Sequence, residues 1–578
     1  MLKHFRAGLL PGAVVSGADG AGPQPPQRLR WRATPPRILR RRPIDPTMPR
    51  SLPLRLRLSP HRTGLLALAA LTALTPPAAL AGPLGGTGPD DDALAPPVQS
   101  RVLRTRLGLE RVHLPQGERM GLAGLSALVQ VDGDWWAGPA VYGAASGQRG
   151  GLFVPGVELA WARPVSEHFA LDAGLFAGGG GGAAAPVGNG LMLRPHLDLV
   201  WRGPGFYTGP TLSWVHFGGG QIRSFQPGWM LTLDSSLRVR PPGNLGGSRG
   251  VLATGLGFDT VVATATVFQP QAGNRNRDGQ PLENRIGLVG IRAERHPFVD
   301  GPWWGIEAAG AASGGVAGYA EVLGTMGLSR LMLDDRLEVG GRVATGLAGG
   351  GGLDTGGGLL AKGSLGLKLK LSQSLAVSAE AGRTASPRGH LAGRAMQLGL
   401  DWQLDDRRAA APGTSPADAT PVTTEWVAGD IRYPALRKDG SRRPLQAVTL
   451  AVNRFVTPTL YLSGQAHSAW GGGAGAYSVG LFGLGAQWPL GDAGRWRVGA
   501  EALAGAAGGG GVDTQGGAIL QGRVYGDLPL TPALDLRLGL GRVRSVQGGL
   551  SGNSLDAALV WRFSVDAPAR RRGPTAGP

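Results

Sequence analysis

Hydrophobic and polar positions along this chain alternate with a period of two. In LMLRPHLDLVW, Leu191, Leu193, Leu197, Leu199 and Trp201 fall on one side, with Arg194, His196, Asp198 and the following Arg202 on the other. Leu365, Leu367, Leu369 and Leu371 alternate against Ser364, Gly366, Lys368 and Lys370. Leu534, Leu536, Leu538 and Leu540 do so against Asp535, Arg537, Gly539 and Gly541. Such alternation builds strands with one apolar and one polar face. Eight strands are expected in the C-terminal third, at 424–434, 444–456, 458–469, 475–488, 494–507, 517–530, 533–545 and 552–564. Connections after the second, fourth and sixth are short: Thr457-Pro458, the turn around Gly491-Asp492, and Thr531-Pro532. The others, at 438–443, 471–475, 508–516 and 547–553, are longer. Asp132-Gly133-Asp134, Ser166-Glu167 and Ser372-Gln373 keep the same parity elsewhere. Short turns on one side and longer loops on the other describe an up-and-down antiparallel barrel in an outer membrane.

The pattern occurs three times. GGGGLDTGGGLLAKG at 349–363 returns as GGGGVDTQGGAILQG at 508–522, and the same offset aligns Gly382-Arg383 with Gly541-Arg542 and Trp402 with Trp561. Between 349–404 and 508–563, 20 of 56 positions are identical. An earlier copy carries Gly179–Gly182, and its start, VLRTRLGLERV at 102–112, resembles VLATGLGFDTV at 251–261. Three β repeats are expected at 101–236, 250–404 and 424–563, joined by 237–249 and by a linker at 405–423. The fold class is therefore all-β, with about 24 strands.

Composition changes the picture in two places. The chain has 578 residues with 100 Gly, 45 Pro, no Cys and a formal net charge of +18. The missing cysteine excludes disulfide frameworks, thiolate metal sites and a Cys nucleophile. The positive charge points to nucleic acid only until it is placed. Residues 1–81 hold 13 Lys/Arg against 2 Asp/Glu, leaving a net of +7 for residues 82–578. Within that front segment, Arg50, Arg55, Arg57 and Arg62 precede the apolar run 64–75, and Pro76-Pro77-Ala78-Ala79-Leu80-Ala81 follows it. A basic stretch, a short apolar stretch and a small-x-small site make a secretory signal peptide. We place it at 48–81, starting from Met48 and cleaved after Ala81. Residues 1–47 read as an upstream extension or mis-called start, 82–100 as a leader and 564–578 as a tail, all three disordered.

Export, the even strand number, and Ala557, Leu559, Trp561 and Phe563 on one face of the last strand favour a membrane barrel over a soluble one. Here the chain resembles Gram-negative outer-membrane β-barrel proteins as a class. That resemblance implies a final strand read by the barrel-assembly machinery, with Trp561 and Phe563 as the signal; fifteen residues follow Phe563, where such proteins usually stop. Trp135, Trp136, Trp303, Trp304, Trp402, Trp488 and Trp561 lie near strand ends, as interfacial girdles do. A single wide barrel of three repeats is the favoured arrangement, with three small eight-stranded barrels as the alternative. Asp172, Arg194, Asp198, Glu338, Arg342, Lys368, Lys370, Arg497, Glu501, Arg523, Asp535 and Arg537 are the candidate lumen-facing residues.

Three motifs tempt towards catalysis. Leu353-Asp354-Thr355-Gly356 and Val512-Asp513-Thr514 resemble aspartic-protease loops, which need two carboxylates sharing one proton. Ser213/His216 and His467/Ser468 are possible pieces of a lipid-active hydrolase. The glycine runs lack the Gly-Lys-Ser/Thr ending of a phosphate loop. No catalytic residue, cofactor or metal is expected, save weak Ca²⁺ binding at Asp90-Asp91-Asp92. The expected function is a non-enzymatic pore or export/uptake conduit. The alternatives are a structural or adhesive surface protein presenting Gly-rich loops, and an outer-membrane hydrolase. Expected partners are outer-membrane lipids, the assembly machinery and a secreted or imported substrate, with no nucleic acid.

Overall fold

The computed structural model describes residues 99–239, 258–404, 420–491 and 496–567. The expected extension and signal peptide, most of the leader, of both joints and of the tail, and Asp90-Asp91-Asp92 lie outside the described residues.

Alternation becomes 24 strands arranged as three separately closed antiparallel barrels of eight strands each. In barrel 1 the first strand (Gln99–His113) pairs with the eighth (Arg223–Val239). In barrel 2 Thr260–Pro270 pairs with Ala392–Gln403, and in barrel 3 Thr420–Leu436 pairs with Ser551–Ala567. This corrects the single wide wall: the three-barrel alternative is what forms. The reason is edge satisfaction. Each unit's first and last strands complete one another's backbone hydrogen bonds, so no edge is left for the next unit. A single wall would instead pair Arg223–Val239 with Thr260–Pro270 across their joint. The last strand also runs on to Ala567, four residues into the expected tail.

Both chain ends of each barrel lie at its short-turn end, and the glycine-rich hairpins lie at the other. Strand directions follow from the alternation. Outward side chains are apolar and bare: Leu365 is 75 % exposed, Leu398 66 % and Leu540 62 %. A soluble barrel buries such a row, whereas hydrocarbon solvates it. Strands of 10 to 17 residues are long enough to cross a bilayer, which takes ~9–11. Of the expected girdle, Trp135, Trp304 and Trp488 do face outward. Trp136 and Trp303 do not. They point into their barrels, where Arg104 lies 4.0 Å over Trp136 and Arg292 5.9 Å from Trp303. The Trp-Trp dipeptides put one ring on each face, because successive strand residues alternate.

The three barrels meet through glycine. Hairpin 147–152 of barrel 1 packs on hairpin 350–358 of barrel 2, where Gly150 N–H donates to Gly356 O at 3.1 Å. Arg277 of barrel 2 crosses the same seam, donating to Gln148 O at 2.9 Å and Gly150 O at 3.1 Å. Hairpin 312–319 of barrel 2 packs on 509–517 of barrel 3, so closely that a Cβ on Gly508 would lie 2.2 Å from Gly318 N. Hairpin 472–477 of barrel 3 returns to 180–190 of barrel 1, where Gly473 N–H donates to Asn189 Oδ1 at 3.1 Å. Each unit thus uses its third-to-fourth hairpin against the fifth-to-sixth hairpin of the next. This is a head-to-tail interface that closes after three copies, within one chain. These seams take up most of the glycine runs, while Gly352, Gly473 and Gly511 stay exposed.

Candidate functional site: the three lumens

Each lumen is layered. Towards the loop end every barrel is filled by an apolar cluster. Barrel 1 has Met120, Leu122, Phe176, Met192 and Phe217; barrel 2 has Phe268, Leu288, Tyr319, Leu323 and Leu360; barrel 3 has Ile431, Tyr433, Tyr477, Leu503 and Ile519. Eight strands enclose just enough room for side chains, so these clusters occupy the bore.

Below that layer the walls carry charge, arranged as buried networks. In barrel 1, Arg106 pairs with Glu158 at 2.8 Å and with Asp198, while Arg194 pairs with Glu110 at 2.9 Å. His196 sits 3.2 Å from Asp198 and 3.4 Å from Glu158. In barrel 2, Arg342 reaches Glu380 at 2.6 Å and Glu307 at 2.9 Å, and Arg292 reaches Glu380 at 2.7 Å. Lys368 binds Asp401 at 2.8 Å, and Lys362 binds Glu307 at 2.9 Å. In barrel 3, Arg537 joins Asp527 at 2.7 Å and Glu425 at 2.9 Å, and Arg562 closes on Glu425 at 2.5 Å. Arg523 bridges Glu501 at 2.7 Å and Asp556 at 2.9 Å, and Arg497 meets Asp535 at 2.5 Å.

The structure places the sequence candidates as follows. Arg194, Asp198, Arg342, Lys368, Arg497, Glu501, Arg523, Asp535 and Arg537 enter these networks. Asp172 is buried opposite Asp198 in the ladder, and Glu338 is buried opposite Lys368. Lys370 is half-buried on the same strand as Lys368. Trp561 and Phe563 do not face lipid. They pack with Trp426 against Val129, Leu237 and Val239 of barrel 1 at the short-turn end. Sequence reasoning missed Arg106, Glu110, Glu158, Arg292, Glu294, Glu307, Glu380, Glu425, Asp527 and Arg562. The signal was present, since each lies in register with an alternating apolar face.

Lumen glycine has a specific partner. Gly124, Gly485, Gly499 and Gly327 stand directly opposite Tyr142, Tyr461, Tyr525 and Trp303 in the ladders. A Cβ at any of the four would come within 2.1–2.3 Å of the ring. The missing side chain lets the ring lie flat on the wall, which sets its polar end among the charges. Tyr461 thereby donates to Glu501 at 2.7 Å.

The catalytic motifs come apart. Ser213 points inward, donating to Glu110, whereas His216 points outward and stacks on Trp214. His467 faces the lumen beside Gln465, and Ser468, the next residue, faces the other way towards Ser478. Asp354 and Asp513 belong to different barrels and each holds its own hairpin. Asp354 accepts from Gly356 N–H at 2.9 Å and His390 at 2.5 Å; Asp513 accepts from Gly549 N–H at 2.9 Å. Partial burial raises the Asp354 carboxyl, but the bonds from His390 and Gly356 outweigh it and hold it below the usual carboxylate range. A depressed carboxylate adds stability above its unfolded value and loses it as pH falls through the folded one. The 386–391 loop should therefore stay latched until the pH drops below ~3.9. Hydrogen exchange at His390, corrected for intrinsic rate, checks this: protection in the wild type should be present at pH 5 and fall below ~3.9, with Asp354→Asn a few-fold faster at pH 5. Among the described residues no group of three or more His, Asp or Glu is arranged to hold a metal.

No family model matches the chain, and no curated protein matches it. Among solved structures it is similar to the NanC porin, at 10% identity and TM-score 0.14 over 52% of this chain and 100% of that one. It is also similar to a ferric enterobactin receptor mutant from Pseudomonas aeruginosa, at 10% identity and TM-score 0.26 over 81% of each chain. A third is the FrpB iron transporter from Neisseria meningitidis, at 8% identity and TM-score 0.25 over 80% of this chain and 81% of that one.

Proposed function

We propose that the chain is a non-enzymatic integral outer-membrane protein in which three closed barrels form one pseudo-threefold platform. The bare apolar outer faces support the membrane location. The observation that carries the closed state is the apolar layer filling the loop end of each lumen. Non-enzymatic character is supported by the separation of Ser213 from His216 and of Asp354 from Asp513. We take the signal peptide at 48–81 to deliver the chain for assembly. The interbarrel packing of Trp561 and Phe563 leaves their assembly role to the stage before the barrels join.

A conduit is the second reading, favoured by the charged layer beneath the apolar one. Any path runs through single barrels, is narrow, and is shut at rest. Two measurements test the proposal. Unheated protein should migrate faster on gels than boiled protein, and equal mobility would remove the membrane barrel. In planar bilayers the wild type should give no open-channel steps. Frequent steps would overturn the closed reading and restore the conduit.

A further inference from the structure

A large cavity lies not in a lumen but between the barrels. Its volume is about 920 Å³, and all three barrels line it with their outward faces. Val157 comes from barrel 1, Ile291 and Val322 from barrel 2, and Val452 and Phe482 from barrel 3. Gly464 and Gly480 also line it, and a Cβ at either would meet nothing within 4 Å, so the space stands open over them. The volume falls in the ~300–1,000 Å³ range of ligand sites.

Its two ends differ chemically. At the loop end the walls are the glycine hairpins and Arg277, whose guanidinium is already taken by Gln148 O, Gly150 O and Ala183 O. At the short-turn end stands Arg101, half-buried on the outward side of its strand. It gives one hydrogen bond, to Gln130 O at 3.2 Å, and pairs with no carboxylate among the described residues. A water in the middle of this space would lack the two to four polar partners it needs. Hydrocarbon would not, and a guanidinium fork at one end suits a phosphate.

We propose that the space between the three barrels is a binding site for one glycerophospholipid, with its acyl chains between the barrels and its phosphate on Arg101. The proposal rests on the membrane reading above. In that setting the short-turn end faces the periplasm, so the lipid enters from the inner leaflet. It fills the axis that the glycine seams close from outside, and joins surfaces that otherwise touch only at their ends.

The test is native mass spectrometry with a phosphorus assay on full-length protein purified in detergent and washed exhaustively. The wild type should retain phospholipid at about one per chain, as a single enclosed site requires. Gly464→Leu/Gly480→Leu fills the cavity without touching backbone, and retention should fall about tenfold while heat-dependent gel mobility is unchanged. Arg101→Gln should lower retention several-fold, with the cavity intact. Wild-type protein that retains no phospholipid, or retains lipopolysaccharide in its place, overturns the proposal. So does a folded leucine variant that retains as much as the wild type; Gly464→Leu alone carries this arm if the pair does not fold. Protein that inserts into vesicles without retained lipid defeats this inference only. Protein that fails to insert defeats the membrane reading as well.

Discussion

Replacing Gly151, Gly190 and Gly508 together with valine should open all three loop-end seams and free barrel 2, leaving barrels 1 and 3 joined by the short-turn packing of Trp426, Trp561 and Phe563 on Val129, Leu237 and Val239. One substitution falls in each seam. A Cβ on Gly151 would lie 2.1 Å from Gly350 N, one on Gly190 2.3 Å from Ala469 O, and one on Gly508 2.2 Å from Gly318 N. In every case the obstacle is the neighbouring barrel's backbone, which cannot rotate away as a side chain can. Gly151 and Gly190 also hold φ of +94°, which penalises any residue with a Cβ. Overpacking alone costs ~1–3 kcal/mol per site, and a head-to-tail ring that loses all three contacts loses its closure as well. The barrels themselves survive, because each one's first strand pairs with its own eighth. With protease sites introduced into 240–257 and 405–419, cleaved wild type should elute as one particle, whereas the cleaved variant should release barrel 2 as a separate particle. A cleaved variant that still elutes as one particle would mean that the glycines are not what holds the units together.

The same seams show how far the sequence could be read. Leu365, Leu367 and Leu369 announced their strand and its outward face, because a period of two is a local property and lipid is uniform. The offset of 159 between Asp354-Thr355 and Asp513-Thr514 announced the repeat. What alternation does not encode is which edge a strand finds. Pairing of Gln99–His113 with Arg223–Val239, rather than of Arg223–Val239 with Thr260–Pro270, is a long-range choice between edges of nearly equal hydrogen-bonding capacity. The Gly-rich runs were legible as loops but not as interfaces, since a loop packed on another barrel and one open to water have the same local chemistry. The lumen was legible in kind and not in pairing. Asp172, Arg342 and Glu501 were all placed inside, yet Arg342 finds Glu307 and Glu380 on other strands of its barrel. Sequence distance gives no hint of that. The Trp-Trp dipeptides carried a further lesson: nearness to a strand end places a ring at the interface only if parity also turns it outward.

Arginine 537 offers the sharpest test of what the charged layer does. Its guanidinium is fully buried, donates to Asp527 at 2.7 and 2.8 Å and to Glu425 at 2.9 Å, and lies 3.9 Å over the ring of Tyr525. Arg537→Ala deletes one cation among two carboxylates. Arg562 still holds Glu425 at 2.5 Å, but Asp527 keeps only Gln487 at 2.8 Å and Arg562 at 3.6 Å. Breaking a buried pair by removing one partner costs ~3–5 kcal/mol, because the orphaned charge stays out of water. The urea midpoint of barrel 3, followed by tryptophan fluorescence in detergent, should fall accordingly. Barrels 1 and 2, whose networks are separate, should hold theirs. Adding Asp527→Asn to Arg537→Met should recover most of the loss, since removing both charges also removes the desolvation they impose. That recovery distinguishes charge balance from simple packing, which the double substitution would worsen. An Arg537→Ala midpoint equal to wild type would mean that the carboxylates are hydrated through the lumen. Barrel 3 would then hold a continuous water path below its apolar layer, which is the structure a conduit needs.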